Sequence, residues 1–264
     1  GGGGGPHDLN YLARAGILSF QGPTDEAPQV PGFQLADVSG ALWSVIAVLA
    51  ALRERDRTGQ GKIIDLSMSD GVLGFAAPSL SAALNEQHEG RGEAVLSGGL
   101  AVYRAYLSQD GQPVTLAALE PKFWSTFCAA VGFEVDMSAL LPGPHQQELR
   151  GRLEQLFASR TAAEWEEFSE RHDCCVAVAV GAADLASDPH LAARNVWLDV
   201  PLAEGTVRCF RTPVSTSDAP ATPAPQPGEH TRAILEEGGF SPREVDDLIA
   251  SGAARQAASP KAGG

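Results

Sequence analysis

Two side chains near the start of the sequence have the chemistry to carry protons. His7 opens the segment His7-Asp8-Leu9-Asn10-Tyr11, and Asp37 lies within Leu35-Ala36-Asp37-Val38-Ser39-Gly40. An imidazole and a carboxylate differ in basicity, and each can take up or release a proton. On opposite faces of one substrate carbon, they could remove a proton from one face and return a proton to the other. The pair therefore indicates acid–base chemistry at carbon.

Helices and loops around this pair must hold it in place. Residues 7–36 alternate polar and apolar pieces with Gly and Pro, which predicts a loop with little regular structure. Asp37 or Ser39 can cap a helix predicted from about Gly40 to Arg57, where apolar side chains recur at helical spacing. If Asp37 precedes that helix, its own N–H and the next ones are unpaired and could hold a negatively charged oxygen.

The remaining sequence predicts alternating helices and short strands. Glycine-rich residues 90–99 mark a domain junction, and Gln109-Asp110-Gly111 is a strong hairpin signal. Thr161, with Glu164 three residues later, predicts a helix start with a capping box. The predicted elements are, in order, a buried strand over 62–66; a helix over 69–86 bent at Pro78; strands over 102–107 and 113–119; helices over 121–131, 146–158 and 162–171; a strand over 174–180; a short helix at Asp188-Pro189-His190; strands over 196–200 and 206–210; a connector over 212–228; and helices over 230–237 and 241–251.

Length, charge and hydropathy exclude several classes of protein. The 264 residues suit one large domain or two small ones, and a hydrophobic content of 44% is enough for a core. The formal net charge of −14 repels phosphate backbones, so no nucleic acid is expected as a partner. The longest apolar run, Ala41–Leu52, is too short to span a bilayer and predicts a buried helix. No membrane role is expected.

The cysteine pattern argues against a zinc site or a disulfide framework. The four cysteines form no CxxC pair, and no histidine lies at metal-ligand spacing from them. Small buried thiols in a reducing cytoplasm are the favoured interpretation, so the expected location is cytoplasmic. The sequence has neither a GxGxxG motif nor a P-loop. No metal, pyridoxal phosphate or nicotinamide cofactor is therefore expected.

A series of motifs follows a definite order along the chain. They are His7-Asp8-Leu9-Asn10-Tyr11, Asp37, Gly59-Gln60-Gly61-Lys62, Ser97-Gly98-Gly99 before Tyr103, Ala118-Leu119-Glu120-Pro121-Lys122-Phe123-Trp124, Asp188-Pro189-His190-Leu191-Ala192-Ala193-Arg194, and Gly228-Glu229-His230-Thr231. In this order they resemble the family III CoA-transferases (the CaiB/BaiF superfamily), and more narrowly the α-methylacyl-CoA racemase branch. The resemblance covers nearly the whole chain. One departure is Pro6, which stands where the family usually has glycine.

This resemblance implies a fold, an assembly and a substrate. The fold is α/β, with a Rossmann-like large domain, truncated at its N-terminus here, and a smaller α/β domain. Two chains interlock as a homodimer, and the active site lies between the large domain of one chain and the small domain of the other. The substrate is an acyl-CoA thioester, so coenzyme A enters as part of the substrate and no separate cofactor is implied.

The resemblance also implies roles for individual residues. His7 and Asp37 form the proton-transfer pair, and Glu120 lies beside His7 and orients it or shares its proton. The implied reaction interconverts (2R)- and (2S)-2-methylacyl-CoA through an enolate. The segment that follows His7 lines the CoA thioester site, with the residues Asp8, Leu9, Asn10 and Tyr11.

Two alternatives to the racemase stay open. In the transferase branch, the aspartate at the position of Asp37 attacks a CoA thioester and becomes a mixed anhydride. The second alternative is a truncated, non-catalytic remnant or a subunit that depends on a partner. Taken singly, each residue also has a structural interpretation: Asp37 as a helix cap, His7 as a surface histidine and Glu120 as a first-turn acid. The ordered series favours the functional interpretation for His7 and Asp37.

The sequence predicts a division into four segments. Residues 1–99 form a large-domain portion with the catalytic motif, 100–200 a small α/β domain, 201–252 a return segment with C-terminal helices, and 253–264 a disordered tail. The five glycines at the start have no core-forming power, and a catalytic motif this close to the start lacks support on one side. We therefore expect further sequence upstream of Gly1.

Overall fold

The computed structural model describes residues 6–85, 90–202, 204–214 and 220–257. By its contacts the chain divides into two units, Gly1–Ala179 and Val180–Gly264. All of the predicted site residues belong to the first unit. The division into four segments, drawn from the sequence, stays a prediction.

Four helices form the N-terminal part of the first unit: α1 (Asp8–Arg14), α2 (Leu35–Thr58), α3 (Met68–Leu73) and α4 (Ala77–Leu84). The helices α1, α2 and α3 pack on one another. Their small shared core consists of Leu12, Ile17, Ala36 and Val72. This core holds the first turn of α2 against α1.

The loop predicted over residues 7–36 is wrong, because this segment contains α1 and a further helical turn at Ile17–Phe20. Leu12 and Ile17 are buried in the core shared with α2 and α3. With only seven residues, α1 is too short for apolar periodicity to stand out among the surrounding Gly and Pro. Tertiary packing, more than local propensity, stabilises so short a helix.

Helix α2 begins at Leu35, before the predicted start near Gly40. Asp37 therefore lies inside the first turn of the helix, and neither Asp37 nor Ser39 is its cap. The side chain of Ser39 is buried and donates instead to the carbonyl oxygen of Ala36.

Two predictions between residues 62 and 86 are also wrong. Residues 62–66 form no strand, and Ile63 is 98% exposed, because no neighbouring strand in the described part of the chain pairs with this segment. The single helix predicted over 69–86 is divided into α3, a turn at Gly74–Ala76 and α4. Pro78 lies in the first turn of α4. Backbone N–H groups in a first turn have no intrahelical acceptor, so a proline there costs no hydrogen bond.

Helix α2 is exposed over most of its length, against the expectation of a buried helix. Its buried residues are Ala36, Ser39 and Gly40, all at its start. At 24 residues it is longer than the apolar run suggested, and by length and composition alone it could cross a membrane. Only 17% of its apolar stretch is buried. Core helices of soluble proteins and signal sequences meet the same criterion, so this property assigns no membrane role.

The rest of the first unit is an antiparallel sheet packed against three helices. The strands β1 (Tyr103–Leu107), β2 (Pro113–Ala117) and β3 (Val176–Val178) lie in that order. The helices are α5 (Pro121–Val131), α6 (His145–Phe157) and α7 (Ala162–Arg171). The predicted hairpin is confirmed by the register of β1 against β2, in which Tyr103 lies opposite Ala117. The predicted capping box of α7 is also confirmed, because Thr161 accepts from the N–H of Glu164 and the Glu164 carboxylate accepts from the N–H of Thr161.

Aromatic side chains dominate the core between this sheet and its helices. Trp124, Phe127, Phe157 and Trp165 are essentially inaccessible to solvent. Their rings form a continuous cluster, in which Phe157 and Trp165 have ring centroids 4.5 Å apart. Large buried aromatic surfaces of this kind contribute most of the hydrophobic stabilisation of a small domain.

The second unit contains a short helix α8 (Pro189–Ala193), the hairpin β4 (Trp197–Pro201) with β5 (Thr206–Phe210), and the helices α9 (Thr231–Glu237) and α10 (Pro242–Ala250). The predicted strand pair is confirmed. Residues 212–214 and 220–228 have no regular structure, as a connector would, and residues 215–219 of the predicted connector lie outside the described residues.

The beginning of the segment predicted as a disordered tail is hydrogen-bonded to the second unit. The N–H of Ala257 donates to the carbonyl oxygen of Gly228, and Gln256 Oε1 accepts from the N–H of Arg232. These contacts place residues up to 257 beside the start of α9. The remaining residues of the predicted tail, 258–264, lie outside the described part of the chain.

The cysteines are only partly as predicted. Cys128 and Cys174 are buried, and burial raises the pKa of each thiol to about 11. Cys175 is half-buried and Cys209 is exposed, which contradicts the interpretation of four buried thiols. Cys209 lies on β5 of the two-stranded sheet, and every residue of that strand is exposed.

The described residues form a mixed α/β fold. Both of their sheets are antiparallel. A parallel, Rossmann-like sheet is not found within the described ranges, so that element of the expected large domain has no counterpart there.

Gln146 supplies a buried polar junction that should be needed for stability. Its Oε1 accepts from the buried N–H of Ala101 at 2.8 Å, and its Nε2 donates to the carbonyl oxygens of Ala139 and Leu141 at 2.9 and 2.8 Å. Gln146→Ala should lower the free energy of unfolding by about 1–3 kcal/mol, because these groups then lack partners. Gln147→Ala, its exposed neighbour on α6, should change stability by no more than about 0.5 kcal/mol. Urea unfolding followed by tryptophan fluorescence checks the prediction, and equal losses in both variants would contradict it.

Candidate active site

His7 lies at the start of α1 and is held there through its backbone. The N–H of His7 donates to Asn10 Oδ1 at 3.0 Å, and the N–H of Asn10 donates to the carbonyl oxygen of His7 at 2.8 Å. This reciprocal pair sets the direction in which the chain enters α1. The side chain of His7 is exposed.

Asp8 connects the His7 segment to the helix that carries Asp37. Asp8 Oδ1 accepts from the N–H of Ala36 at 2.7 Å and from the N–H of Asp37 at 3.1 Å. These N–H groups belong to the first turn of α2, where no intrahelical acceptor exists for them. Asp8 is also the first residue of α1, so its negative charge lies at the positive ends of two helix dipoles. The bond brings His7 and Asp37 to one place in the fold.

The expectation that the N–H of Asp37 is unpaired is wrong. That prediction required Asp37 to precede its helix, whereas it lies in the first turn. The N–H groups of Ala36 and Asp37 are both taken by the carboxylate of Asp8, and the N–H of Val38 donates to the carbonyl oxygen of Gln34. The start of α2 therefore does not offer these three groups to a substrate oxygen.

The other residues predicted to line the thioester site flank this junction. Leu9 and Asn10 are exposed, and Tyr11 is half-buried with its side chain packed against the small core of α1, α2 and α3. Asp37 itself is exposed. The described chain therefore leaves the pair open to solvent, whereas proton abstraction from carbon is helped by a site that excludes water.

Glu120 is found at the start of a different helix of the first unit. It is the residue before Pro121, where α5 begins, and its side chain is exposed. In the described part of the chain, no hydrogen bond or ion pair joins His7, Asp37 and Glu120 to one another. The structure thus brings two of the three predicted catalytic residues together, and the roles of all three stay predictions.

The bridging role of Asp8 was missed by the reasoning from sequence. Asp8 was predicted to line the substrate site, and a carboxylate that caps a distant helix leaves no local signature. The acceptor and its donors are 28 and 29 positions apart. A cap within one helix, by contrast, follows from a spacing of three residues, as for Thr161 and Glu164.

A family model for CoA-transferase family III matches residues 5–231. The chain therefore belongs to CoA-transferase family III, which confirms the resemblance found in its motifs. The match includes all of the predicted site residues.

Several known proteins are similar over most of the chain. The alpha-methylacyl-CoA racemases of Mus musculus and Homo sapiens are each 31% identical to it over 251 residues, which cover 92% of this chain. The succinyl-CoA:mesaconate CoA-transferase of Haloarcula hispanica is 26% identical over 247 residues, which cover 88% of this chain. The chain spans 65% and 64% of the length of the two racemases and 60% of the transferase.

Solved structures confirm the fold class. A CAIB/BAIF family protein from Brucella suis superposes with a TM-score of 0.68 at 25% identity, covering 89% of this chain and 65% of that one. The orthorhombic form of Rv3272 from M. tuberculosis gives a TM-score of 0.68 at 26% identity, covering 89% of this chain and 66% of that one. The chain has the α/β fold of the family III CoA-transferases.

The contact between Asp8 and α2 should be measurable in isolation. Asp8→Ala removes the acceptor, so the amide hydrogens of Ala36 and Asp37 should exchange with solvent roughly 2- to 30-fold faster, equivalent to about 0.5–2 kcal/mol. Asp8→Asn keeps an acceptor oxygen and should give a smaller increase. Hydrogen–deuterium exchange with mass spectrometry checks this. Asp56→Ala, which changes an exposed carboxylate near the other end of α2, is the control, and similar exchange rates in all three variants would refute the proposed cap.

Proposed function

We propose that this member of CoA-transferase family III is a 2-methylacyl-CoA racemase, which interconverts (2R)- and (2S)-2-methylacyl-CoA. The observation that carries the proposal is the junction at the start of α2, where Asp8 binds the N–H of Asp37 directly beside His7. An imidazole and a carboxylate with different basicity lie at this junction. The similarity to two proteins named alpha-methylacyl-CoA racemase supports the same choice.

The proposed reaction is a proton exchange at C2 of the acyl group. One of His7 and Asp37 takes the C2 proton, and the electron pair of the broken C–H bond moves to the thioester oxygen and forms an enolate. The other residue then donates a proton to the opposite face of C2, and the thioester carbonyl is restored. Which residue acts first depends on the epimer that is bound.

The enolate oxygen requires a hydrogen-bond donor. Since Asp8 occupies the N–H groups of Ala36 and Asp37, we propose that this donor is a different group. Asp8 then has a positioning role. It keeps the start of α2, and with it Asp37, beside the His7 segment.

We extend the proposal to a homodimer in which the active site is shared. Glu120 of the partner subunit would lie beside His7 and orient the imidazole or share its proton. The exposure of Glu120 and the absence of a bond to His7 within the described chain support this arrangement. A second chain would also shield the exposed junction from water.

Deuterium incorporation tests the racemase directly. One epimer of a 2-methylacyl-CoA, incubated with the protein in D₂O, should give the other epimer with deuterium at C2. His7→Ala and Asp37→Asn should each lower the rate of epimerisation by about 10²-fold or more, because each removes one of the two proton carriers. Chiral chromatography with mass spectrometry measures both the configuration and the isotope.

Matched variants make the outcome specific. His190→Ala changes an exposed histidine on α8, and Asp56→Asn changes an exposed carboxylate on α2; both should epimerise like the unchanged protein. All variants should keep the circular dichroism spectrum of the unchanged chain. A folded protein that shows no deuterium exchange at C2 would refute the proposal.

A CoA-transferase is the second candidate, favoured by relatives that bear this name, such as the protein from Haloarcula hispanica. In that reaction the Asp37 carboxylate attacks the thioester carbonyl, the C–S bond breaks and coenzyme A leaves as the thiolate. The resulting mixed anhydride should be trapped by hydroxylamine, and mass spectrometry of the Asp37 peptide would detect the adduct. His7→Ala should spare this transfer while it stops epimerisation. An adduct together with the absence of C2 exchange would replace the racemase by the transferase.

A further inference from the structure

A second region of the first unit has the properties of a ligand site. A cleft of about 730 Å³ lies between the loop 22–29, the segment 91–98, strand β1 and helix α6. The volume falls within the range of about 300–1,000 Å³ found for small-molecule sites. None of His7, Asp37 and Glu120 lines the cleft.

Three arginines from separate elements line this cleft. Arg91 comes from the segment before β1, Arg104 from β1 and Arg150 from α6. Arg104 Nη1 donates to the carbonyl oxygen of Gly98 at 3.1 Å, and Arg150 Nη2 donates to the same oxygen at 3.3 Å. Two guanidinium groups therefore meet at one neutral acceptor, which leaves most of their N–H groups for other partners.

These guanidinium groups form no direct ion pair with a carboxylate of the described residues. Among the described residues, the ion pairs of the chain involve other cations, and none includes Arg91, Arg104 or Arg150. Arg150 Nε is buried and has no hydrogen-bond partner. Two like charges in proximity repel, and a buried charged donor without a partner costs free energy. An anion between Arg104 and Arg150 would relieve the repulsion between the two guanidinium groups.

Arg91 has a structural role, because its hydrogen bonds join two of the segments that line the cleft. Its Nε donates to the carbonyl oxygen of Pro23 at 3.0 Å, and its Nη2 donates to the carbonyl oxygens of Thr24 and Glu26. The hydroxyl of Thr24 in turn donates to the carbonyl oxygen of Arg91. These bonds fix the loop 22–29 against the segment 91–98.

The acidic and basic side chains that line the cleft lie in different parts of it. The carboxylates of Asp25, Glu26 and Glu93 belong to the loop and segment that Arg91 joins, whereas Arg104 and Arg150 meet at Gly98. An anionic group is repelled by the carboxylates and attracted to the two arginines. It would therefore bind at Gly98, with the rest of a larger ligand extending along the cleft.

We propose that this cleft binds an organic anion whose phosphate or carboxylate group is held by Arg104 and Arg150. Both oxyanions match the planar fork of N–H donors that a guanidinium presents. The site needs no contribution from the proton-transfer pair, so it is independent of the proposed racemase activity. The positive pair also overcomes locally the repulsion expected from a chain with a net charge of −14.

Isothermal titration calorimetry with three anions tests the site on the full chain. Inorganic phosphate reports the bare oxyanion, coenzyme A a phosphate ester, and octanoate a carboxylate on an apolar chain. At least one should bind, and the affinity should fall with added salt. Arg104→Gln and Arg150→Gln should each weaken that binding about tenfold or more, because each loses charge-assisted hydrogen bonds but keeps a donor for Gly98.

Two controls separate this site from other causes of binding. Arg152→Gln makes the same charge change at an exposed position on α6 outside the cleft and should alter the affinity less than twofold. His190→Ala, which changes an exposed histidine on α8, should bind like the unchanged protein. If glutamine variants lose their fold, Arg104→Lys and Arg150→Lys keep the charge and should bind with intermediate affinity.

Three outcomes would overturn the proposal. They are the absence of binding for all three anions, binding that does not depend on Arg104 or Arg150, and an equal loss in Arg152→Gln, which would indicate general charge attraction. Since the titration requires no turnover, failure of the racemase assay leaves its result unaffected.

Discussion

The geometry of the candidate site depends on one hydrogen-bonded carboxylate. Asp8 accepts two N–H groups from the first turn of α2, and this contact ties the segment of His7 to the helix of Asp37. The bond supplies acceptors that the helix start otherwise lacks, and it places a negative charge where two helix dipoles are positive. The small core below it, with Leu12 and Ala36 fully buried, keeps both helix starts from separating. The hydrogen bonds and this core together fix the relation between residues that lie 28 and 29 positions apart in sequence.

The first unit joins a well-packed part to a part that is open. Around β1–β2–β3, aromatic rings and the bonds of Gln146 form a closed core. Around α2, apolar side chains lie exposed along most of the helix. An apolar surface of this extent is typical of an interface. The chain spans 65% and 64% of its two racemase relatives, and the predicted pair His7 and Asp37 lies in the open part. This contrast is why the proposed reaction involves a second chain, whereas the arginine cleft is built by this chain alone.

Elements with strong local signals were predicted well from the sequence. The helix Pro121–Val131, the capping box at Thr161 and the hairpin around Asp110 are each encoded within a few residues. The predictions failed where distant residues decide. Helix α1 is stabilised by burial of Leu12 rather than by its own periodicity, and residues 62–66 have no partner strand to pair with. Likewise, an N–H of Asp37 predicted to be unpaired was found bound to Asp8.

The order of motifs along the chain was enough to identify the family and to select His7, Asp37 and Glu120 as candidates, because residue types and their order are properties of the sequence. The spatial relations among those residues could not be predicted from the sequence. Only the folded chain shows that Asp8 links the His7 segment to Asp37, that Glu120 lies at the start of a different helix, and that two arginines converge on Gly98. Each of these relations joins different elements of the fold. Packing and long-range hydrogen bonds set such distances, and no local pattern in the sequence records them.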